Sequence, residues 1–453
     1  MQTEAARAGR VGSRLPHDYR SFLVGGLIAV MLGVLVSFPA PALLVAGFIA
    51  AAAAAAAMLR WPALAPASFW LVYSVQSTVF PSTVVTGLYY PLYAIMGANV
   101  IIGIALGRLR LAPGLLVAYG AFLIMVVWSL LITPASLGFA AYQRLFIYVL
   151  GVLVLAQYGD RRQLGFLPAA QVVSTLVLSG WAIYTAFTTG FIHRAGVTTD
   201  QNIVSFILGF GILVLVARLL TPGNGLLGRV VTWLALGVGT YAMLLLASRG
   251  VAVALLVTLV ALYGRIVFDV RRSVPIALMA VVVGLALVAL PGSDGLLQRF
   301  DESNLSTANE RLPLWSAAIA SFMDAGPVRA TLGQGFESSK DIIRAARPMT
   351  TATHNAYLQV LVEFGLVGLA AFLSLHVLLL MRFWRSSGRV ALRALGATVF
   401  LLMCNLTLDA HDGFPYWVVL GHLIAMVAMG DDREPGYSPA DEAAPWRAAA
   451  SRS

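Results

Sequence analysis

The sequence predicts an all-α, polytopic membrane protein of 12–14 transmembrane helices. Hydrophobic residues make up 59% of the 453 residues, charged residues make up 11%, and the mean hydropathy is +0.85. These values lie far outside those of soluble domains. Apolar runs of about seventeen residues or more recur without the alternation of barrel strands. Each run is therefore predicted to be a helix, which satisfies its own backbone hydrogen bonds within lipid.

Fourteen apolar runs can be counted along the chain. The first, 22–38, follows a polar tail rich in arginine and resembles a signal peptide. Apolar sequence resumes at once and continues through Leu59, and many further predicted spans follow. We therefore interpret the run 22–38 as an uncleaved first helix. The count falls to twelve if two of the first four runs merge or re-enter the membrane. The runs after Leu59 are 69–85, 88–106, 115–132, 139–158, 164–187, 203–220, 226–246, 251–268, 274–290, 357–383, 392–408 and 414–429.

Most arginines of the short connections fall in every second connection: Arg60, Arg108, Arg110, Arg161, Arg162, Arg218, Arg229, Arg265, Arg271, Arg272, Arg382, Arg385, Arg389 and Arg393. By the positive-inside rule, these connections and both termini are cytoplasmic, and the alternate connections face the periplasm of a bacterial inner membrane. The net charge of +10 follows from this topology and does not indicate a nucleic-acid partner. The predicted organisation is a cytoplasmic tail at 1–20, transmembrane helices over 21–290, a periplasmic loop over 291–355, C-terminal transmembrane helices over 356–430 and a cytoplasmic tail at 431–453.

The large periplasmic loop is predicted to be mainly helical. Four apolar residues recur at helical spacing and would lay one face on the bundle or on the membrane surface: Leu312, Trp315, Ile319 and Phe322. Since Pro313 is tolerated only near a helix start, we expect this helix to begin near Arg311. A second short helix is predicted at 337–346. Its basic residues are expected to point outward: Lys340, which is the only lysine of the chain, Arg344 and Arg347.

His354 stands where the polar loop turns into an apolar helix, on the predicted periplasmic side. A histidine there can act as a general base near neutral pH if an acceptor hydroxyl reaches it. The alternative is a histidine that binds the unsatisfied amides of the helix start. Position alone favours this alternative, and the residues by themselves leave both roles open.

Two arginines lie on the same predicted face of the membrane. Arg249 follows one long apolar run and begins the next. An arginine this close to the hydrocarbon core is energetically costly and usually marks function or an ion pair. Arg194 lies in the preceding connection of that face. Arginines that converge at helix termini could bind a pyrophosphate through charge-assisted, bidentate hydrogen bonds. The alternative is interfacial arginines that extend to lipid headgroups.

Few carboxylates accompany these groups. Glu363 follows His354 by nine residues, which places the two on opposite sides of one helix and about 13 Å apart along its axis. They are therefore not predicted to be an acid–base pair, and Glu363 is expected to pair with a neighbouring helix. Asp409, His411 and Asp412 cluster in a periplasmic turn and could form a metal site or an accessory acid–base group. Because the ligand spacing is not a fixed one, a solvated turn is favoured, and no metal or cofactor is predicted.

As a set, the motifs between Arg194 and Gly368 resemble the O-antigen ligase and polymerase superfamily. They are Ser248-Arg249-Gly250, 311–315, Gly333-Gln334-Gly335-Phe336 and His354-Asn355-Ala356-Tyr357-Leu358, followed by Glu363, Phe364, Gly365 and Gly368. The resemblance implies a metal-independent, inverting membrane glycosyltransferase whose donor is a glycan on undecaprenyl pyrophosphate. In ligases the acceptor is the outer-core sugar of lipid A-core, and in polymerases it is another repeat unit.

The resemblance also implies roles for individual residues. Carried over by motif, His354 would be the catalytic base that activates the acceptor hydroxyl. Arg249, together with Arg194, would hold the pyrophosphate leaving group. Arg311 matches the arginine of the family's loop, with a positioning or phosphate-binding role.

The sequence favours a ligase over a polymerase. Polymerases often have two large periplasmic loops in which an arginine is followed sixteen residues later by glycine, whereas here one loop is large and none of the candidate arginines has glycine at that distance. Protein O-oligosaccharyltransferases share the same core motifs and stay an alternative. A lipid flippase or transporter is the alternative from another class. Against it stand the lack of an internal repeat and the scarcity of acidic residues within the spans.

Overall fold

In the computed structural model, the chain is helical throughout the residues that the structure describes, which are 41–76, 82–108, 112–133, 139–155, 161–189, 201–220, 225–246, 248–266, 306–348, 353–386 and 389–431. They form fifteen α-helices, two short 3-10 helices (Arg161–Gly165 and Ala410–Asp412) and no β-strand. The α-helices are α1 (Pro41–Arg60), α2 (Leu64–Gln76), α3 (Ser82–Ala105), α4 (Pro113–Ile132), α5 (Phe139–Leu155), α6 (Phe166–Thr189), α7 (Gln201–Leu219), α8 (Leu226–Leu246), α9 (Arg249–Ile266), α10 (Ser306–Asp324), α11 (Gly326–Leu332), α12 (Ser338–Ala346), α13 (Ala356–Arg385), α14 (Arg389–Asn405) and α15 (Phe414–Asp431). The predicted runs 22–38 and 274–290 lie outside the described residues.

Helix α4 illustrates why so apolar a chain folds as a bundle in lipid. One face packs against α13 and is buried at intervals of three or four residues: Leu115, Ala118, Tyr119, Phe122, Met125, Val126 and Ser129. The opposite face is equally apolar but exposed: Val117, Ile124 and Leu131. A helix that is apolar on both faces suits protein on one side and hydrocarbon on the other.

Five helices in the described part of the chain are long and apolar enough to cross a membrane, namely α4, α6, α7, α8 and α13. Six further apolar helices are shorter in their described parts. The prediction of an all-α, polytopic membrane protein is confirmed.

Close helix contacts depend on small residues, as is usual in lipid. In α7, for example, a Cβ added at Gly209 would collide with Phe400 of α14, and one added at Gly211 would collide with Thr175 of α6.

The predicted run 69–85 falls on two described helices. Its first part belongs to α2, which has 13 residues and is described as far as Gln76, and its second part belongs to α3, which has 24 residues and is described from Ser82. The ring centres of Phe69 in α2 and Tyr89 in α3 lie 4.9 Å apart. One straight helix would separate these residues by about 30 Å, so α2 and α3 pack against each other as two helices.

Helix α13 breaks at Gly365, and the polar loop docks on the break. Gly365 has φ 69° and ψ −172°, which is not helical. The carbonyl of Val362 therefore accepts a hydrogen bond from the Gln334 amide (2.9 Å), and the carbonyl of Glu363 accepts one from Ser129 Oγ of α4 (2.8 Å). The break thus exposes backbone acceptors that a continuous helix would have used internally.

The glycines of the loop make this docking possible. Gly333 has φ 91°, and a Cβ added there would collide with the carbonyl group of Glu363. A Cβ at Gly365 would collide in turn with the backbone of Thr331 and Gly333. Beyond the turn, the Phe336 amide donates to Thr133 Oγ1 (2.7 Å) at the end of α4. The two glycine-containing motifs that the sequence separates by thirty residues therefore form one contact.

The first helix of the polar loop differs from the prediction. Helix α10 begins at Ser306, not near Arg311, and holds Pro313 in its interior. A proline there costs about 3 kcal/mol. The turn around it is stabilised by burial of Leu314 and by the hydrogen bond from Trp315 Nε1 to the Thr353 carbonyl (3.0 Å). Helix α10 also contacts the bundle through a face other than the predicted one, because two residues of the predicted apolar stripe are exposed: Leu312 and Ile319.

We predict that Gly333→Ala and Gly365→Ala each undock the polar loop and lower the free energy of unfolding by more than about 2 kcal/mol. The reason is that each combines a left-handed backbone with a collision against backbone atoms. The measurement is thermal unfolding of the purified protein in detergent. Gly120→Ala in α4 is the matched control, since a Cβ there meets nothing within 4 Å. Unfolding curves of all three variants that coincide with the native curve would contradict the docking.

Candidate functional site

A polar cavity of about 360 Å³ lies where the polar loop meets the helix ends. Its walls come from α2, α5, α7, α12, α13 and the turn between α14 and α15. The side chains that can donate or accept protons or hydrogen bonds there are Tyr73, Arg144, Asn202, Lys340, His354, Gln359, Asp409, Asp412 and Tyr416. Of the predicted catalytic and phosphate-binding residues that the structure describes, which are His354, Arg249 and Arg311, His354 lines this cavity, as do Asp409 and Asp412 of the acidic turn.

The start of α13 is capped by Asn355, and this changes the interpretation of His354. The side chain of Asn355 accepts hydrogen bonds from the amides of Tyr357 (3.0 Å) and Leu358 (3.1 Å). The alternative in which His354 binds these amides is therefore wrong, because the neighbouring residue already does so. His354 has a left-handed backbone, φ 52°, and its half-buried ring lines the cavity.

The carboxylate of Asp409 organises the chain around His354. It accepts hydrogen bonds from the amides of His354 (2.9 Å) and Asn355 (3.0 Å) and from Thr353 Oγ1 (2.6 Å). The same Oδ2 atom lies 4.0 Å from Nδ1 of the His354 ring. At 4.0 Å this is a contact and not a hydrogen bond, and it places the carboxylate on the Nδ1 side of the ring. A histidine beside a carboxylate is an arrangement that can serve a general base, whose hydrogen bonds are often long in the free enzyme.

Two of the three predicted phosphate-binding arginines lie near this site. Arg311 donates from Nη1 to the carbonyl of Thr407 (3.1 Å), two residues before Asp409. Arg249 is next to Gly250, and a Cβ added at Gly250 would collide with the Thr407 side chain, so the two backbones lie close together. Ser248, which precedes Arg249, contacts the cavity wall, because its Oγ donates a hydrogen bond to Oδ1 of Asn202 (2.8 Å). The third arginine, Arg194, lies outside the described residues.

Arg144 is a site residue that the sequence analysis missed. It lines the cavity from α5, with Nη2 3.2 Å from Asp412 Oδ2 and Nη1 3.5 Å from Glu337 Oε1. Its guanidinium lies 5.8 Å from the ring centre of Phe336, so the docked loop covers it. The available signal was that Arg144 is the only charged residue in the run 139–158, and an intramembrane arginine indicates function by default.

Lys340 also lines the cavity, contrary to the expectation that it points outward. Its Nζ is 2.9 Å from Glu337 Oε1, so Glu337 links it to the Arg144 guanidinium. Arg344 and Arg347 are exposed, as predicted. Lys340 and Arg344 are four residues apart and therefore share a side of α12. Lys340 lies one turn nearer the helix start, beside Glu337 and the cavity, whereas Arg344 pairs with the exposed Asp341.

The turn with Asp409, His411 and Asp412 is enclosed by protein, so the expectation of a solvated turn is wrong. The side chain of His411 is fully buried, and those of Asp409 and Asp412 are 13% and 21% exposed. Burial alone would raise the pKa of Asp412, but the charge of the Arg144 guanidinium and the hydrogen bond from Gln359 hold this pKa below its ordinary value. Burial lowers the pKa of His411. Both groups therefore stay deprotonated at neutral pH.

Glu363 is part of the same network, although it follows His354 by nine residues. The fully buried carboxylate accepts hydrogen bonds on Oε1 from Ser339 Oγ of α12 and from Gln359 Nε2 (3.2 Å). Gln359 also donates to both oxygens of Asp412 (3.2 and 3.1 Å). Glu363 therefore connects the polar loop to the cavity. No group of three metal-ligating side chains that could hold a metal ion occurs within the described ranges.

We predict that Arg144→Gln lowers the free energy of unfolding by about 3–5 kcal/mol, because it leaves the Asp412 carboxylate without its main counter-charge. Thermal unfolding in detergent measures this loss. Arg344→Gln is the matched control, since its pair with Asp341 is exposed and we expect a change within about 0.5 kcal/mol. Adding Asp412→Asn to Arg144→Gln should recover part of the loss. Equal unfolding temperatures for Arg144→Gln and Arg344→Gln would contradict a buried network.

One of the comparisons with known proteins gives a match, to a family and over part of the chain. No curated protein matches it. Residues 233–373, however, match the O-antigen ligase family. The matched segment runs from α8 into α13 and contains Arg249, Arg311, His354 and the docking contact between the loop and Gly365, whereas Arg144 and Asp409 lie outside it. This match confirms the resemblance of the chain to the O-antigen ligase and polymerase superfamily of membrane glycosyltransferase-like proteins.

Proposed function

We propose that the chain is an O-antigen ligase, which transfers a glycan from undecaprenyl pyrophosphate to the lipid A-core acceptor of lipopolysaccharide. The observation that carries this proposal is His354, which lines a polar cavity with its backbone and ring against the Asp409 carboxylate. The match to the O-antigen ligase family over the segment that contains His354 supports it. In the proposed topology, the protein spans the bacterial inner membrane with both termini in the cytoplasm and this cavity at the periplasmic face.

In the proposed reaction, His354 acts as the general base. Its ring nitrogen takes the proton of the acceptor hydroxyl while that oxygen attacks the anomeric carbon of the donor sugar. The bond between the anomeric carbon and the pyrophosphate oxygen breaks on the opposite side, so the anomeric centre inverts. The electron pair leaves with undecaprenyl pyrophosphate. Asp409, at 4.0 Å from Nδ1, stabilises the positive charge that His354 gains.

The arginines beside the cavity would receive the leaving group. Arg311 is held against the Thr407 carbonyl, and Arg249 lies next to the same residue. With Arg194, they would bind the pyrophosphate through bidentate, charge-assisted hydrogen bonds and so compensate its growing charge. In this scheme the reaction is metal-independent, because guanidinium groups take the part that a divalent cation has in many phosphate sites.

An O-antigen polymerase would use the same donor and the same base, and a protein O-oligosaccharyltransferase differs only in its acceptor. A deletion strain distinguishes these activities. Accumulation of undecaprenyl-linked polymer supports the ligase, and accumulation of single repeat units supports the polymerase. Loss of glycan from proteins, with normal lipopolysaccharide, supports the oligosaccharyltransferase. If none of these occurs, the transporter or lipid flippase is the better hypothesis.

We predict that His354→Ala and Arg249→Ala each reduce transfer by at least about a hundredfold while the protein still inserts into the membrane. A ligase-null strain that expresses either variant should show rough lipopolysaccharide on a gel. Arg344→Ala, an exposed arginine of the same loop, is the matched control and should restore long chains. Long chains with His354→Ala would exclude the general-base role. Full activity of Arg249→Lys would show that a point charge suffices in place of a bidentate contact.

We predict that Asp409→Asn lowers the turnover number about tenfold or more and leaves the Michaelis constant for the donor nearly unchanged. The reason is that Asp409 contacts the base, not the arginines assigned to the donor. Transfer by purified protein to isolated lipid A-core measures both constants. Thr353→Val, which removes one hydrogen bond to Asp409 but keeps the carboxylate, is the control for structural effects. A raised Michaelis constant with normal turnover would contradict the role given to Asp409.

A further inference from the structure

A second cavity, of about 470 Å³, lies at the opposite end of the bundle from His354. Helix α15 connects the two, since Pro415 near its start lines the first cavity and Met429 near its end lines the second. The second cavity is formed between α6, α7, α14 and α15. Nothing in the proposed transfer reaction uses it, because about 20 Å of helix separates Pro415 from Met429.

The depth of this cavity corresponds to one leaflet of a membrane. Along α15 it extends from Met429 to Val419, ten residues or about 15 Å. The hydrocarbon core of a bilayer is about 30 Å thick, so a leaflet contributes about half of that. Its volume falls within the usual range of about 300–1,000 Å³ for sites of small organic ligands. The cavity thus suits a hydrocarbon chain that enters from one membrane surface.

The lining of the second cavity is apolar apart from a small polar group around Arg393. Leucine, valine, alanine and methionine side chains provide most of the wall. Arg393 lies one turn inside α14, and its charge acts on the neighbouring His422 of α15. None of the ion pairs found between described residues involves Arg393. The sequence analysis assigned this arginine to a cytoplasmic loop, but the structure places it inside a helix and against a cavity.

An arginine in this position is stabilised by an anionic partner. Taking a guanidinium out of water is costly unless a counter-charge or hydrogen-bond acceptors replace the water. Extension of the side chain to the membrane surface would solve the problem without any ligand. However, Arg393 is half-buried and lines the cavity together with apolar residues such as Ala394 and Ala397. A phosphate group at the mouth of the cavity satisfies the guanidinium while a hydrocarbon chain fills the space behind it.

We propose that this cavity binds one anionic phospholipid of the leaflet opposite the candidate active site, with its phosphate on Arg393 and one acyl chain between α6, α7, α14 and α15. In the proposed topology this is the cytoplasmic leaflet. An anionic headgroup is preferred over a zwitterionic one because a choline group would place a second cation beside Arg393 and His422. The site is independent of the proposed glycan transfer, and its test does not require the reaction.

The test is native mass spectrometry of the full-length, delipidated protein in detergent, titrated with phosphatidylglycerol and, separately, with phosphatidylcholine. We expect one phosphatidylglycerol to bind at least about tenfold more tightly than phosphatidylcholine. Arg393→Gln should weaken phosphatidylglycerol binding about tenfold and abolish the preference, whereas Arg393→Lys should retain most of it. Ala397→Phe, which fills the cavity, should weaken the binding of both lipids.

Arg385→Gln is the matched control, since Arg385 is an exposed arginine at the same end of the bundle. We expect it to change phosphatidylglycerol binding less than twofold. The unfolding temperature of each variant shows whether it has folded, and Arg393→Lys keeps the test decisive if Arg393→Gln has not. Equal effects of Arg393→Gln and Arg385→Gln would overturn the proposal. Equal binding of the two phospholipids would also overturn the proposal. Displacement of phosphatidylglycerol by an equimolar amount of undecaprenyl phosphate would overturn it as well, because it would assign the cavity to the carrier lipid.

Discussion

The break of α13 at Gly365 is the constraint on which the rest of the candidate site depends. A continuous helix would offer the polar loop no backbone acceptors at this depth. With the break, the carbonyls of Val362 and Glu363 receive hydrogen bonds from the loop and from α4. The docked turn then carries α12 into position, so that Ser339 reaches Glu363 and Lys340 reaches the cavity. One non-helical residue in a membrane helix thus joins a soluble segment to a membrane bundle.

Electrostatic balance is the second requirement of this site. The cavity contains cations from α5 and α12 and carboxylates from the turn before α15, and each cation has a carboxylate partner nearby. In a medium of low dielectric constant, this pairing lowers the cost of burial and keeps every group in one position. A balanced cavity with amide and phenol groups suits the hydroxyls of a sugar. The arginines beside Thr407, at its margin, suit the phosphates of a lipid-linked donor.

The fold class could be predicted from the sequence because apolar runs depend only on the solvent that surrounds a helix. The motif around His354 was likewise recognisable, since its residues are contiguous. What the sequence could not show were contacts between distant residues: Asp409 lies 55 positions after His354, and Arg144 lies 268 positions before Asp412. The acidic turn looked solvated because its composition is polar, and only the packing of α13 and α15 encloses it. In the same way, hydropathy did not reveal that α2 and α3 pack against each other as two helices.

Lys340 has a practical consequence for the chemistry of this protein. It is the only lysine among 453 residues, and it stands in the wall of the candidate cavity, next to Glu337 and in the same lining as His354. A reagent that acylates primary amines can therefore modify only one side chain, and that side chain reports on the occupancy of the cavity. Besides the α-amino group, the native sequence thus offers one amine for a fluorophore or cross-linker, so substrate binding can be followed at Lys340 without an engineered residue.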